Sequence, residues 1–118
     1  LYAAVRLLRH VAQHSIRLSD WRKALPVTHS TPEIRFACDD ARKFDVIREI
    51  QTRLRTASAD FSDIDGVRVK TPDGWWLLRA SNTQAMLVGR CESTDEAGLE
   101  TLKEDLRKQL AFSNVALP

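Results

Sequence analysis

Apolar positions along this chain switch between helical and strand periods, and each switch predicts an element. Leu1, Val5, Leu8, Val11 and Ala12 recur at helical spacing and fade by His14-Ser15, which predicts a helix over residues 1–14. Leu18, Trp21 and Leu25 predict a second, short helix after a Ser19-Asp20 cap, ended by Pro26. From Glu33 the period drops to two. Ile34, Phe36 and Cys38 alternate with Glu33, Arg35 and Ala37, as in a strand with one covered face. Asp39 or Asp40 then caps a helix in which Phe44, Ile47, Ile50 and Leu54 recur three or four residues apart. Arg42, Lys43, Arg48, Glu49 and Arg53 read as its solvated face.

Beyond Thr56 the polar run Ala57-Ser58-Ala59-Asp60 reads as a loop. Asp65-Gly66 marks a tight turn before a strand at Val67-Arg68-Val69, and Thr71-Pro72-Asp73-Gly74 marks a second turn. Two longer strands follow, Trp75 through Ala80 and Ala85 through Glu92. On a regular strand Trp75 and Trp76 face opposite ways, which sends one to the core. Ser93 with Glu96 reads as a capping box for a last helix. Its apolar line is Leu99, Leu102, Leu106 and Leu110, while Lys103, Arg107 and Lys108 favour its C-terminal end.

This order predicts an α+β fold: a mainly antiparallel four-stranded sheet with two helices on one face, preceded by an extra helix and linker. Residues 1–14 have no nearby apolar partner in sequence, so they read as a helix belonging elsewhere. Residues 15–30 read as a linker or hinge, residues 31–118 as the folded domain, and 111–118 within it as a short tail.

At 118 residues the chain is one modest domain with an appendage. A helical pattern already running at Leu1 gives the expectation of a fragment of a longer protein. The net charge of +2 is too small and too mixed to mark a nucleic-acid or membrane-surface binder. No apolar run approaches the roughly 18 residues of a membrane helix. Cys38 and Cys91 lie in strand-like patterns without a partner at metal-ligand spacing and read as buried free thiols of a reducing cytosol, a disulfide being the minor alternative. There is no Gly-rich phosphate loop with Lys, no HExxH and no nucleophile elbow. The carboxylates sit where helix starts and turns account for them, and His10, His14 and His29 are far from any nucleophile.

One segment carries chemistry. Arg79-Ala80-Ser81-Asn82-Thr83 crowds a guanidinium, two hydroxyls and a carboxamide between two strands, with no Asp or Glu from Leu77 to Cys91. Phosphate oxygens only accept hydrogen bonds, so Arg, Ser, Asn, Thr and backbone N–H groups can satisfy them, Arg through a bidentate pair. Taken alone, the segment is also an ordinary polar hairpin tip.

Together with Asp65-Gly66-Val67-Arg68-Val69 and Gly74-Trp75, this segment resembles the C-terminal domain of the phosphomannomutase/phosphoglucomutase enzymes of the α-D-phosphohexomutase superfamily. Ser30-Thr31-Pro32-Glu33 is similar to the entry of that domain, and Leu1-Tyr2-Ala3-Ala4-Val5-Arg6-Leu7-Leu8 to the last helix of the domain before it. The resemblance implies a parent enzyme, cytoplasmic, that interconverts hexose 6-phosphate and hexose 1-phosphate through a bisphosphorylated sugar and an enzyme phosphoserine. It implies that Arg79, Ser81, Asn82 and Thr83 hold the substrate phosphate. The phosphoserine, the Mg²⁺ and the sugar-recognition loop would belong to other domains of the same polypeptide, so this chain alone is expected to be inactive. The chain departs from the commoner pattern at Gln84-Ala85, where many members carry an acidic residue or threonine and then proline. The rival reading is a small α+β interaction or RNA-binding module, which predicts basic residues and exposed aromatics on the open sheet face.

Overall fold

Residues 1–14 and 17–118 are described by a computed structural model. The chain order is α1 (Tyr2–His14), α2 (Leu18–Ala24), β1 (His29–Ser30), β2 (Ile34–Ala37), α3 (Asp40–Thr56), β3 (Phe61–Ser62), β4 (Val67–Thr71), β5 (Gly74–Ala80), β6 (Met86–Ser93) and α4 (Glu96–Ala111). The expected α+β architecture is present, with six antiparallel strands rather than four. The sheet runs β1-β6-β5-β4-β3, and β2 also pairs with β6. The two extra strands have two residues each, too short for any period to announce them.

Helices α3 and α4 cover one face of the sheet. Val46, Ile50 and Leu54 of α3 and Leu102, Leu106 and Leu110 of α4 form one core with Val67, Val69, Trp76, Leu78, Leu87 and Cys91. Trp76 is the tryptophan sent inward, and its indole Nε1–H donates to Asp105 Oδ2 at 2.7 Å. Trp75 is only partly covered on the other face, where the Arg68 guanidinium lies 4.7 Å from its ring centroid. Register puts Arg35, Val88 and Arg79 in one row of that open face, Arg68, Leu77 and Arg90 in the next, and Lys70, Trp75 and Glu92 in a third.

Several local expectations change. The inward line of α3 runs through Lys43, Ile47, Ile50 and Leu54, while Phe44 is 45% exposed and Val46 is fully buried. Steps of four, three and four residues from Lys43 return to one helix face, and Phe44 lies about 100° away from that line. Arg53 is not a free surface cation either: it donates to the Gln109 carbonyl at 2.8 Å and to Ser113 Oγ at 2.9 Å. At α3 the cap is Asp39, whose side chain accepts from Ala41 N–H at 2.8 Å. At α4 it is Asp95, which accepts from Gly98 N–H at 2.7 Å, instead of Ser93. The Ser93 hydroxyl is engaged by the Asp73 carbonyl at 2.5 Å, because β6 runs on through Ser93. At α2 the N-cap is Arg17, so Ser19 and Asp20 lie inside that helix.

The C-terminal residues are more than a tail. Asn114 adopts φ 56° just beyond α4, Ser113 is buried, and Val115 and Leu117 pack against the core. Neither α1 nor α2 contains a buried residue. His10 of α1 stacks on Trp21 of α2 with ring centroids 4.8 Å apart. Of the segment expected to act as a hinge, Ser15 and Ile16 lie outside the described residues, and His29 and Ser30 pair with Ser93 and Glu92.

Candidate functional site

The hairpin of β5 and β6 brings the chemistry-bearing residues to one end of the sheet. Arg79 is the next-to-last residue of β5, opposite Val88, on the open face. Loop 81–85 follows, closed by the Ser81 N–H bond to the Met86 carbonyl at 3.0 Å. Asn82 and Thr83 are exposed and Ser81 partly so. Ser81 Oγ accepts from the N–H groups of Thr83 at 3.4 Å and Gln84 at 3.2 Å. This local turn folds the loop back on its first residue and leaves the hydroxyl proton free to donate outward.

The four residues singled out in the sequence therefore lie on one hairpin end, and the loop's floor comes from elsewhere. Lys43, 3% exposed, donates to the Gln84 carbonyl at 2.9 Å, and Cys38 N–H donates to the Ala85 carbonyl at 3.0 Å. Lys43 was legible only from its spacing to Ile47; its charge pointed the other way. A second feature, invisible between Leu77 and Cys91, is acidic. Glu33 Oε1 lies 4.0 Å and Asp65 Oδ2 3.8 Å from the Arg79 guanidinium. Glu33 is drawn away by Arg35, which bonds its Oε2 at 2.7 Å. The Arg79 guanidinium, 37% exposed, thus stands between two loosely held carboxylates.

The turn that delivers Asp65 depends on Gly66, which adopts φ +80° and lies so close to β5 that a Cβ would come 2.3 Å from the Leu78 carbonyl oxygen and 2.8 Å from Arg79 Cα. Gln51 Nε2 fixes the turn by donating to the Gly66 carbonyl at 2.9 Å. The Asp65-Gly66 pair is thus a structural support placed directly behind Arg79.

Other candidates offer less. Cys38 and Cys91 are both free and buried; burial raises the Cys38 thiol above its usual pKa and pushes that of Cys91 up to about 11, so neither is a ready nucleophile. Among the described residues no three His, Cys, Asp or Glu side chains converge as a metal-binding group. Among the described residues no helix is long and apolar enough to cross a membrane.

Comparison with known proteins bears on the family and the fold. The family model described as "Phosphoglucomutase/phosphomannomutase, C-terminal domain" matches residues 33–109. Phosphomannomutase/phosphoglucomutase of Pseudomonas aeruginosa is 37% identical over 118 residues, covering 100% of this chain and 26% of the relative. Phosphoglucomutase of Neisseria meningitidis serogroup A is 36% identical over 109 residues, 91% of this chain and 24% of the relative. The crystal structure of a phosphoglucomutase/phosphomannomutase family protein from Burkholderia thailandensis superposes with a TM-score of 0.74 at 32% identity, covering 96% of this chain and 23% of that one. The chain thus spans about a quarter of the length of these relatives. A matched domain model, homologues across the chain and a shared fold lead to one conclusion: the chain belongs to the phosphoglucomutase/phosphomannomutase family, as its C-terminal domain.

Proposed function

We propose that this domain holds the phosphate group of a hexose phosphate for a mutase whose remaining domains carry the reaction centre. The observation that carries the reading is the hairpin end itself, where Arg79 and the donors of Ser81, Asn82 and Thr83 meet over five consecutive residues supported from beneath by Lys43 and from behind by Gly66. Arg79 supplies a bidentate, charge-assisted pair, and the others supply neutral donors. Phosphoryl transfer is accelerated chiefly by orientation and charge stabilisation, and a clamp on the non-reacting phosphate supplies the first.

On this reading the parent interconverts mannose or glucose 6-phosphate and 1-phosphate. Its phosphoserine donates to the free hydroxyl, the bisphosphorylated sugar turns over within the site, and the other phosphate returns to the serine. The phosphoserine and Mg²⁺ belong to the other domains, the parent works in the cytoplasm, and this chain alone has no mutase activity. The segment between α1 and β1 then serves as the hinge through which the domain closes.

The RNA-binding alternative is weaker. The open face has the basic residues it requires, Arg35, Arg68, Lys70 and Arg90, but its one tryptophan, Trp75, lies under the Arg68 guanidinium. The guanidinium competes with bases for that single ring.

An amide NMR titration of the chain with glucose 1-phosphate, using glucose as the uncharged control, tests the proposal. Saturable shifts confined to Arg79 through Thr83 and absent with glucose are expected. A folded spectrum that ignores both ligands, in the chain and in the full-length parent, would remove the clamp.

A further inference from the structure

Lys43 is almost wholly buried, and its ammonium lies beneath the anion loop, 2.9 Å from the Gln84 carbonyl oxygen and 2.5 Å from Asp40 Oδ1. The same carbonyl accepts from Met86 N–H at 2.8 Å, so two donors hold it toward the protein. The Gln84–Ala85 peptide is trans. In a trans peptide the C=O and the following N–H point to opposite sides. With the carbonyl drawn toward Lys43, the Ala85 N–H is turned away from it. Ala85 is exposed, and its N–H finds no protein acceptor among the described residues. An exposed, unpaired backbone donor beside Ser81, Asn82 and Thr83 matches the acceptor-only chemistry of a phosphate oxygen.

We propose that Lys43 is a positioning residue of the phosphate site: by clamping the Gln84 carbonyl it turns the Ala85 N–H outward as a further ligand of the bound phosphate. Asp40 is part of the device. It balances the lysine's charge locally, so Lys43 acts through peptide orientation rather than as a long-range attractor of anions. The inference rests on the phosphate reading of the loop. It also gives Ala85 a role that proline at the same place would not have, since proline carries no N–H.

The test is an amide NMR titration with inorganic phosphate on the wild-type chain, Lys43→Met and Lys43→Arg. In the wild type the Ala85 amide is expected to shift together with Arg79 through Thr83. Lys43→Met should retain the dispersed signals of the sheet while phosphate affinity falls about tenfold, the factor that loss of one charge-assisted hydrogen bond supports. Its Ala85 amide should no longer respond, and Lys43→Arg should restore most of the affinity. An Ala85 amide that stays still while Arg79 and Ser81 respond would overturn the assignment, and that wild-type readout decides even if Lys43→Met does not fold. Unchanged affinity in a folded Lys43→Met would overturn it as well. No phosphate response at any loop residue, in the wild-type chain and in the full-length parent, would sink the phosphate reading itself, and this inference with it.

Discussion

Arg79 is one side chain whose surroundings come from four separate stretches of sequence. Its own loop is consecutive, so Ser81, Asn82 and Thr83 could be singled out by adjacency alone. Glu33, Asp65 and Lys43 reach the site only through β2–β6 pairing, the turn before β4 and the face of α3, and no local pattern shows those approaches. Lys43 did leave a trace in its spacing to Ile47, Ile50 and Leu54, overridden by the general rule that lysine is exposed. At this scale, Arg79→Ala in the full-length parent is expected to cost about 1.5–3 kcal/mol of phosphosugar binding, roughly 10- to 100-fold, measured by calorimetric titration. Gly66→Ala should be more damaging to the fold, because the new Cβ meets the Leu78 carbonyl at 2.3 Å in a positive-φ turn. A loss of about 1–3 kcal/mol is expected in denaturant unfolding. Wild-type stability in that variant would show that the turn relaxes away from Arg79.

The elements were legible where their periods were long. The strands at 34–37, 67–71, 74–80 and 86–93 and helices α3 and α4 all follow apolar spacing, whereas β1 and β3 give a periodicity nothing to repeat. The contact between α3 and the end of α4 escaped for another reason: it is polar. Arg42 bonds both Glu49 oxygens, at 2.6 and 3.0 Å, and reaches the Ser113 carbonyl, while Arg53 bonds Ser113 Oγ. The Arg42 hydrogen bonds first, and that of Ser113 second, hold the Glu49 carboxyl down at about 2. An unfolded glutamate titrates near 4.3. The folded chain therefore binds fewer protons there. The stabilisation is complete above that value and is lost as pH falls through the window down to about 2. Denaturant unfolding between pH 2 and 5 should show a shallower decline in Glu49→Gln than in the wild type, and equal slopes would take Glu49 out of the acid response. The difference should be modest, since both partners remain more than a third exposed. Trp76→Phe tests the other junction. Removing the indole donor from Asp105 is expected to lower unfolding free energy by about 1.5–3 kcal/mol, read by thermal denaturation.

Taken whole, the molecule is extended, with a Cα radius of gyration of 17.3 Å against about 13–14 Å for a compact chain of this length. Helices α1 and α2 contain no buried residue and leave Val5, Leu8 and Leu18 to solvent, so their apolar faces add nothing to the domain's core. If the segment between α1 and β1 is the hinge of a closing domain, small-angle scattering of the parent should give a smaller radius with substrate than without; identical profiles would count against closure. If the domain closes on a phosphate as proposed, it must also release it, and the carboxylates beside Arg79 would bear on that step. Glu33 and Asp65 are loose counterions of Arg79, near enough to offset the guanidinium and too far to hold it fast. If the loop holds a phosphate as proposed, the anion displaces these contacts on binding and they re-form when it leaves. On that reading departure would not leave Arg79 without a counterion, so the same pair that weakens capture would lower the barrier to letting go.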